Sequence, residues 1–87
     1  MSSVQILVFA ALREAIGSGT VSIDVPASAT LTGQYLLTQL AKQFPAAESY
    51  ILSTPLILAA DSVQVPSLDS AISTTAEIAI FPPVSGG

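Results

Sequence analysis

Apolar and polar residues alternate along parts of the chain with the two-residue period of a β-strand. The clearest example covers residues 20–25, where branched apolar side chains occupy every second position and polar side chains lie between them. This pattern predicts a half-buried strand with Val21, Ile23 and Val25 facing the core. Further apolar runs, most of them rich in β-branched residues, predict strands at residues 4–10, 56–60, 63–65 and 77–81.

One stretch has the period of an amphipathic helix instead. Thr30 can cap a helix that runs to about Lys42, and Pro45 stops it. Gly33 either weakens this helix, by about 1 kcal/mol relative to alanine, or allows it to pack closely against the sheet. The predicted buried face of the helix consists of Leu36, Leu37, Leu40, Ala41 and Phe44.

Shorter segments complete the order of elements. Residues 11–16 favour a helical turn closed by Gly17, residues 46–52 fit either a helical turn or a loop, and Asp61-Ser62 can form a tight turn. The order of strand, strand, helix and three strands is that of an α+β β-grasp (ubiquitin-like) fold. We expect a mixed sheet of about five strands with one main helix on one face, and pairing of the last strand with the first. This predicts a domain over residues 1–81 and an extended tail over residues 82–87.

The predicted tail carries the most distinctive chemistry, in the sequence Phe81-Pro82-Pro83-Val84-Ser85-Gly86-Gly87. The prolines lack N–H donors and favour extended backbone, so they end the last strand and stiffen the chain beyond it. Residues 82–87 span about 20 Å when fully extended. Glycine has no Cβ, so a Gly-Gly end fits a slot too narrow for other dipeptides. We therefore expect the Gly87 carboxylate to be the functional group, the alternative being an ordinary flexible terminus.

Composition narrows the classes of function. The 87 residues are 51% apolar and 9% charged, which predicts one small domain with apolar surface left over for a partner. The chain has no cysteine and no histidine, which excludes a Cys/His zinc site. Without clustered carboxylates either, we expect no metal site and no independent catalysis. Arg13 and Lys42 are too few to neutralise a phosphate track, so nucleic acid is not an expected partner.

Hydropathy and the first residues predict the compartment. No apolar run approaches the roughly 18–20 residues that a membrane span needs. The first residues lack the basic start of a signal peptide. We therefore expect a cytoplasmic protein that has no membrane partner.

The Phe-Pro-Pro-Val-Ser-Gly-Gly ending resembles the C-terminal signature of the small subunit of molybdopterin synthase, a sulfur carrier of the MoaD/ThiS ubiquitin-like family. Residues 8–17, and Leu58-Ala59-Ala60 followed by the last strand, are also similar to this family, so the resemblance spans nearly the whole chain. It implies that a ubiquitin-activating-like adenylyltransferase uses ATP to adenylate Gly87. A sulfur donor protein then converts the acyl adenylate to a thiocarboxylate. No cofactor is bound permanently.

The resemblance also implies a destination for the sulfur. The tail, with Gly86 beside the reactive Gly87, enters the large subunit of the synthase, in a heterotetramer of two small and two large subunits. There the sulfur is transferred to cyclic pyranopterin monophosphate, which makes molybdopterin for the molybdenum cofactor. The implied partner-binding residues are Phe9, Arg13, Val65, Phe81, Pro82, Pro83, Val84 and Ser85.

Alternatives remain open at the level of the sequence. Phe9, Val65 and Phe81 could instead be ordinary sheet core, and Arg13 a solvated turn residue. Two predicted turns depart from the family pattern, which usually has Val-Asn at residues 61–62 and often an Asp-Gly-Asp-Glu-like turn at residues 74–77. Other functions that fit are a sulfur carrier for thiamine or sulfur amino-acid synthesis, a ubiquitin-like protein modifier that forms isopeptide bonds, and a plain structural domain.

Overall fold

A five-stranded mixed sheet places a strand near the beginning of the chain beside a strand near its end. The computed structural model of the protein describes residues 2–83. Its strands are β1 (Ser2–Val8), β2 (Thr20–Val25), β3 (Ile57–Ala60), β4 (Val63–Gln64) and β5 (Ile78–Phe81). They lie in the order β2-β1-β5-β3-β4, with β1 and β5 parallel and the other neighbours antiparallel. The predicted pairing of the last strand with the first is confirmed.

Helices cover one face of this sheet and bury their apolar residues together with those of the strands. They are α1 (Ala10–Ile16), α2 (Gly33–Gln43), a 3₁₀ helix (Pro45–Ala47) and α3 (Glu48–Ser53). The core joins Leu12 of α1, Leu36 and Leu40 of α2 and Ile51 of α3 to the inward side chains of the strands. The ambiguous segment after Pro45 is therefore helical, and the α+β β-grasp prediction is confirmed.

Strand alternation decides which side chains face the helices. Along β2, buried and exposed residues alternate as predicted, with Val21, Ile23 and Val25 inside. In β5, Ile78 and Ile80 are fully buried, and the residues between and after them face the other side of the sheet. One face of the sheet is thus packed against the helices, and we call the opposite one the open face.

The main helix begins later than predicted, because its cap is Thr32 and not Thr30. The Thr32 hydroxyl Oγ1 accepts a hydrogen bond from the Tyr35 backbone N–H at 3.1 Å. Residues 31 and 32 are held in extended backbone by a distant segment, since the Ile72 N–H donates to the carbonyl of Leu31 at 2.8 Å and residue 32 forms a bridge to residue 71. This non-local pairing prevents the helix from starting at Thr30.

Two glycines behave as their positions in the sequence suggest. Gly17 ends α1 with φ at 91°, a left-handed conformation that favours glycine. Gly33 lies at a close approach, since a Cβ added there would be 3.1 Å from the Leu68 Cδ2 and 3.2 Å from the Leu58 Cδ2. The prediction that Gly33 allows close packing against the sheet is confirmed, because Leu58 belongs to β3.

The two turns that depart from the family pattern are joined to each other. Asp61 and Ser62 both have positive φ, at 51° and 69°, which confirms the tight turn between β3 and β4. The Asp61 carboxylate Oδ1 accepts from the Glu77 backbone N–H at 2.9 Å, and the Asp61 N–H donates to the Glu77 carbonyl at 2.8 Å. One aspartate therefore fixes the hairpin and the residue that precedes β5.

Candidate functional site

The candidate site lies at the end of the sheet from which residues 82–87 continue. Strands β1 and β5 are parallel, with Val8 beside Ile80 in the register. The carboxyl ends of neighbouring parallel strands lie at the same end of a sheet, so the residues that follow these two positions lie side by side. They are Phe9 and Phe81, which are far apart in the sequence and adjacent in the fold.

Phe9 and Phe81 form an aromatic pair on the open face. Their ring centroids are 6.4 Å apart and their planes make an angle of 77°, an edge-to-face arrangement that aromatic rings prefer. Phe9 is 45% exposed and Phe81 is half-buried. Neither belongs to the core beneath the helices, so the interpretation of these two residues as ordinary sheet core is wrong.

Half-buried apolar residues extend this pair across the open face. Phe81 lies opposite Ile57 in the antiparallel pairing of β5 with β3, so both side chains project from the same face. Leu7 and Ala79 lie two residues before Phe9 and Phe81 on β1 and β5, so they share that face, and both are half-buried. Ile57 was missed from the sequence because β3 is apolar throughout, and such a strand has no alternation to show which residues face outward.

The first tail residues continue from this aromatic pair. Pro82 is half-buried and Pro83 is exposed, and neither is part of a strand, as expected of residues without an N–H donor. We call the group of Phe9, Ile57, Phe81 and Pro82 the tail base. The predicted site residues Val84, Ser85, Gly86 and Gly87 lie outside the described residues.

Arg13 lies at the same end of the sheet, on the other side of β1. It is an exposed residue of α1, and its guanidinium lies against Gly19, where an added Cβ would be 3.3 Å from the Arg13 Nε. Gly19 in turn accepts a hydrogen bond from the Val8 N–H at 3.0 Å. The Arg13 backbone N–H donates to the Phe9 carbonyl at 3.2 Å. Arg13 therefore follows Phe9 by one helical turn, with its cationic group beside Gly19.

Val65 is not part of this grouping. Its N–H donates to the Leu58 carbonyl at 2.8 Å, and its half-buried side chain packs against the core that β3 and the helices share. It follows β4, at the edge of the sheet beyond β3, whereas Phe81 lies in β5. The structure thus pairs Phe9 with Phe81, which Pro82 follows, places Arg13 one helical turn after Phe9, and leaves Val65 on the other face.

Other kinds of site have little support among residues 2–83. Acidic side chains do not gather there in groups of three or more that could hold a metal ion. Within the same residues, the helices are all too short or too polar to cross a membrane.

Comparison with known proteins places the chain in a family. The sequence profile of the ThiS family matches residues 6–87. SAMP1 of Haloferax volcanii, a small archaeal modifier protein, is 33% identical over 98% of this chain and 99% of its own, with a TM-score of 0.76. A comparison with curated protein sequences finds no match.

Two more distant structures share the fold. A candidate subunit 1 of molybdopterin converting factor from Pyrococcus furiosus is 21% identical, with a TM-score of 0.76, and the match covers 97% of this chain and 100% of that one. Subunit 1 in a complex with subunit 2 of molybdopterin-converting factor from Helicobacter pylori 26695 gives 16% identity and a TM-score of 0.62, over 98% and 99% of the two chains. The profile match and the SAMP1 likeness together show that this chain belongs to the ThiS family of ubiquitin-like β-grasp proteins.

Proposed function

We propose that this protein carries sulfur as a thiocarboxylate on Gly87. A carboxylate is unreactive until one of its oxygens becomes part of a leaving group, and adenylation with ATP achieves this. Sulfur delivered by the donor at the sulfide level then attacks the acyl carbon, and AMP leaves as the C–S bond forms. The product is a thiocarboxylate, whose sulfur is a nucleophile that requires no cysteine side chain. A chain without cysteine or histidine is suited to this role, because the reactive group is the backbone terminus.

The observation that carries the proposal is the position of the tail base. The strand that leads to the Gly-Gly sequence ends beside a partly exposed aromatic pair, and Pro82 and Pro83, which lack N–H donors, follow directly after it. A partner that binds Phe9 and Phe81 therefore holds the origin of the tail, and the residues beyond can reach about 20 Å into its active site. Aromatic and arginine side chains are enriched among the residues that dominate binding energy.

Among the possible pathways, molybdopterin synthesis has the most support. The Phe-Pro-Pro-Val-Ser-Gly-Gly sequence resembles that of the small subunit of molybdopterin synthase, and the fold is shared with subunit 1 of molybdopterin-converting factor, which forms a complex with subunit 2 in Helicobacter pylori. The proposed partners are the large synthase subunit, a ubiquitin-activating-like adenylyltransferase and a sulfur donor protein. The protein acts as a stoichiometric sulfur donor, and the transfer to cyclic pyranopterin monophosphate takes place in the complex.

A second candidate function is protein modification. It is favoured by the 33% identity to SAMP1, a modifier protein, over almost the full length of both chains. In that case the activated Gly87 is attacked by a lysine amine of a target protein, and AMP leaves as an isopeptide bond forms. A sulfur carrier for thiamine synthesis uses the same thiocarboxylate and differs in the protein that receives it.

A one-residue extension tests the proposal without altering any existing residue. An alanine added after Gly87 moves the carboxylate and places a Cβ at the terminus, and the matched control adds an alanine before Met1. We expect the C-terminal extension to abolish thiocarboxylate formation, measured by intact mass after incubation with ATP, the activating enzyme and the sulfur donor. Both extended proteins keep the thermal unfolding midpoint of the original. Equal sulfur loading of the two would contradict the proposal.

The protein that this chain binds distinguishes molybdopterin synthesis, thiamine synthesis and protein modification. A sulfur carrier for molybdopterin synthesis binds the large synthase subunit, whereas a thiamine carrier does not. A modifier instead gives higher-mass conjugates in cell lysate that survive reductant and thiols. Capture of the large subunit with no such conjugates supports the role in molybdopterin synthesis, and conjugates without the large subunit support protein modification.

A further inference from the structure

Among the residues that the structure describes, strand β2 is one edge of the sheet and has a neighbour, β1, on one side only. In antiparallel pairing, successive residues direct their backbone groups alternately toward the neighbour and away from it. The bond from the Val8 N–H to the Gly19 carbonyl, at 3.0 Å, fixes this alternation at the start of the strand. The carbonyls of Thr20, Ser22 and Asp24 consequently point outward, where an edge strand can pair with another chain.

Each of these three outward carbonyls accepts a hydrogen bond from a side chain of the same protein. Ser18 Oγ donates to the Thr20 carbonyl at 2.9 Å. Gln43 Nε2 donates to the Ser22 carbonyl at 3.3 Å, and the Tyr35 hydroxyl donates to the Asp24 carbonyl at 3.5 Å. Gln43 and Tyr35 belong to α2, at opposite ends of the helix. Two side chains of the main helix therefore occupy outward carbonyls of β2, in addition to the apolar residues that the helix packs on the face of the sheet.

The opposite edge of the sheet is protected in another way. Strand β4 consists only of Val63 and Gln64, and Pro66 follows shortly after it. Short edge strands and nearby prolines give an incoming strand few groups to pair with. Of the two edges, β2 alone has the length for strand pairing, with residues Thr20–Val25.

We propose that Gln43 and Tyr35 guard β2 against pairing with β2 of a second copy of this chain. The occupant of an unguarded edge is another β2, because a strand that pairs antiparallel with itself makes a closed two-fold contact. Charged side chains commonly protect edge strands from pairing, but only 9% of the residues of this chain are charged. The hydrogen bonds from Gln43 and Tyr35 provide this protection instead. A carrier kept monomeric presents one tail to one partner.

The test removes the two donors while keeping side-chain shape. The variant Gln43→Met/Tyr35→Phe loses both bonds to β2. The matched control is Gln34→Met/Tyr50→Phe, since Gln34 Nε2 donates to Thr38 Oγ1 within α2 and Tyr50 lies in α3. Sedimentation equilibrium then measures self-association. We expect the dimer dissociation constant of the guard variant to be at least about tenfold lower than those of the original protein and the control.

A third substitution identifies the surface involved. Ser22→Pro removes an outward N–H without removing a bond to β1, and proline is tolerated at such edge positions. Added to the guard variant, it is expected to return the protein to the monomeric state of the original. A guard variant that is folded by circular dichroism and no more associated than the control overturns the proposal, as does a dimer that persists with Ser22→Pro. If the double variant does not fold, Gln43→Met alone replaces it. The proposal is then overturned if this variant associates no more than the control, or if its dimer persists with Ser22→Pro.

Discussion

Replacing Phe81 with alanine tests whether the tail base is a binding surface. Removing a fully buried phenylalanine costs about 3–5 kcal/mol of unfolding free energy. Phe81 is only half-buried, and its contact with Phe9, at 6.4 Å between ring centroids, contributes about 0.5–1.5 kcal/mol. We therefore expect Phe81→Ala to lower the unfolding free energy by about 1.5–2.5 kcal/mol, roughly half the cost at a buried site.

The neighbouring residue on β5 supplies the stability control. Ile80 is fully buried and faces the helices, so Ile80→Ala is expected to cost about 2–5 kcal/mol. Urea unfolding followed by circular dichroism measures both values. The two substitutions are adjacent in the sequence and differ in the face of the sheet that they alter.

Binding to the proposed partner, the large subunit of molybdopterin synthase, supplies the second measurement. Calorimetry should show Phe81→Ala binding at least about tenfold more weakly, as expected for an aromatic anchor at the centre of an interface. The control for binding is Leu52→Ala, because Leu52 is an apolar residue of α3 that is 63% exposed and lies outside the tail base. Phe81 is a core residue and not a binding anchor if Phe81→Ala destabilises the fold as much as Ile80→Ala while the folded fraction binds with unchanged affinity.

Three further substitutions test how the fold supports this surface, each by its urea unfolding free energy. Thr32→Ala should lose about 1 kcal/mol because it removes the helix cap, whereas Thr30→Ala should change stability little; equal effects would contradict the assigned cap. Asp61→Ala should lower the unfolding free energy by about 1–2 kcal/mol, since it removes the hydrogen bond to Glu77 and places alanine at positive φ. The control is Asp69→Ala, at an exposed aspartate, and an equal loss there would contradict the role of Asp61 in holding the hairpin to β5. Gly33→Ala should lower the unfolding free energy by about 1 kcal/mol despite the better helix propensity of alanine, because the new Cβ would lie 3.1 Å from the Leu68 Cδ2. A gain in stability would contradict this and show that the Leu68 side chain moves aside.

Local patterns in the sequence predicted the elements, and non-local contacts decided their limits. The alternation in β2 and the glycine that ends α1 depend on neighbouring residues, so both could be predicted. The start of α2 could not, because the extended backbone at Thr32 is fixed by a bridge to Ala71, far along the chain. The hairpin at Asp61 was predicted, but its link to Glu77 depends on the arrangement of three strands.

In the candidate site, too, the sequence predicted individual residues, and contacts between distant parts of the chain decided how they are grouped. Phe9 and Phe81 were each predicted as partner-binding residues, but their contact requires the parallel register of β1 and β5. Ile57 was missed because a strand that is apolar throughout does not indicate which side chains face outward. Val65 was grouped with the two phenylalanines by resemblance, and the structure separates it because it packs against the core on the other face of the sheet.

The intact mass of the protein purified from its native host shows directly whether Gly87 carries sulfur, as we propose. We expect a fraction that is heavier by the replacement of one oxygen with sulfur, with fragmentation placing the change in the peptide that ends at Gly87. A terminus without sulfur in repeated preparations, accompanied by lysine-linked conjugates in the lysate, would rule out the sulfur-carrier role and favour protein modification.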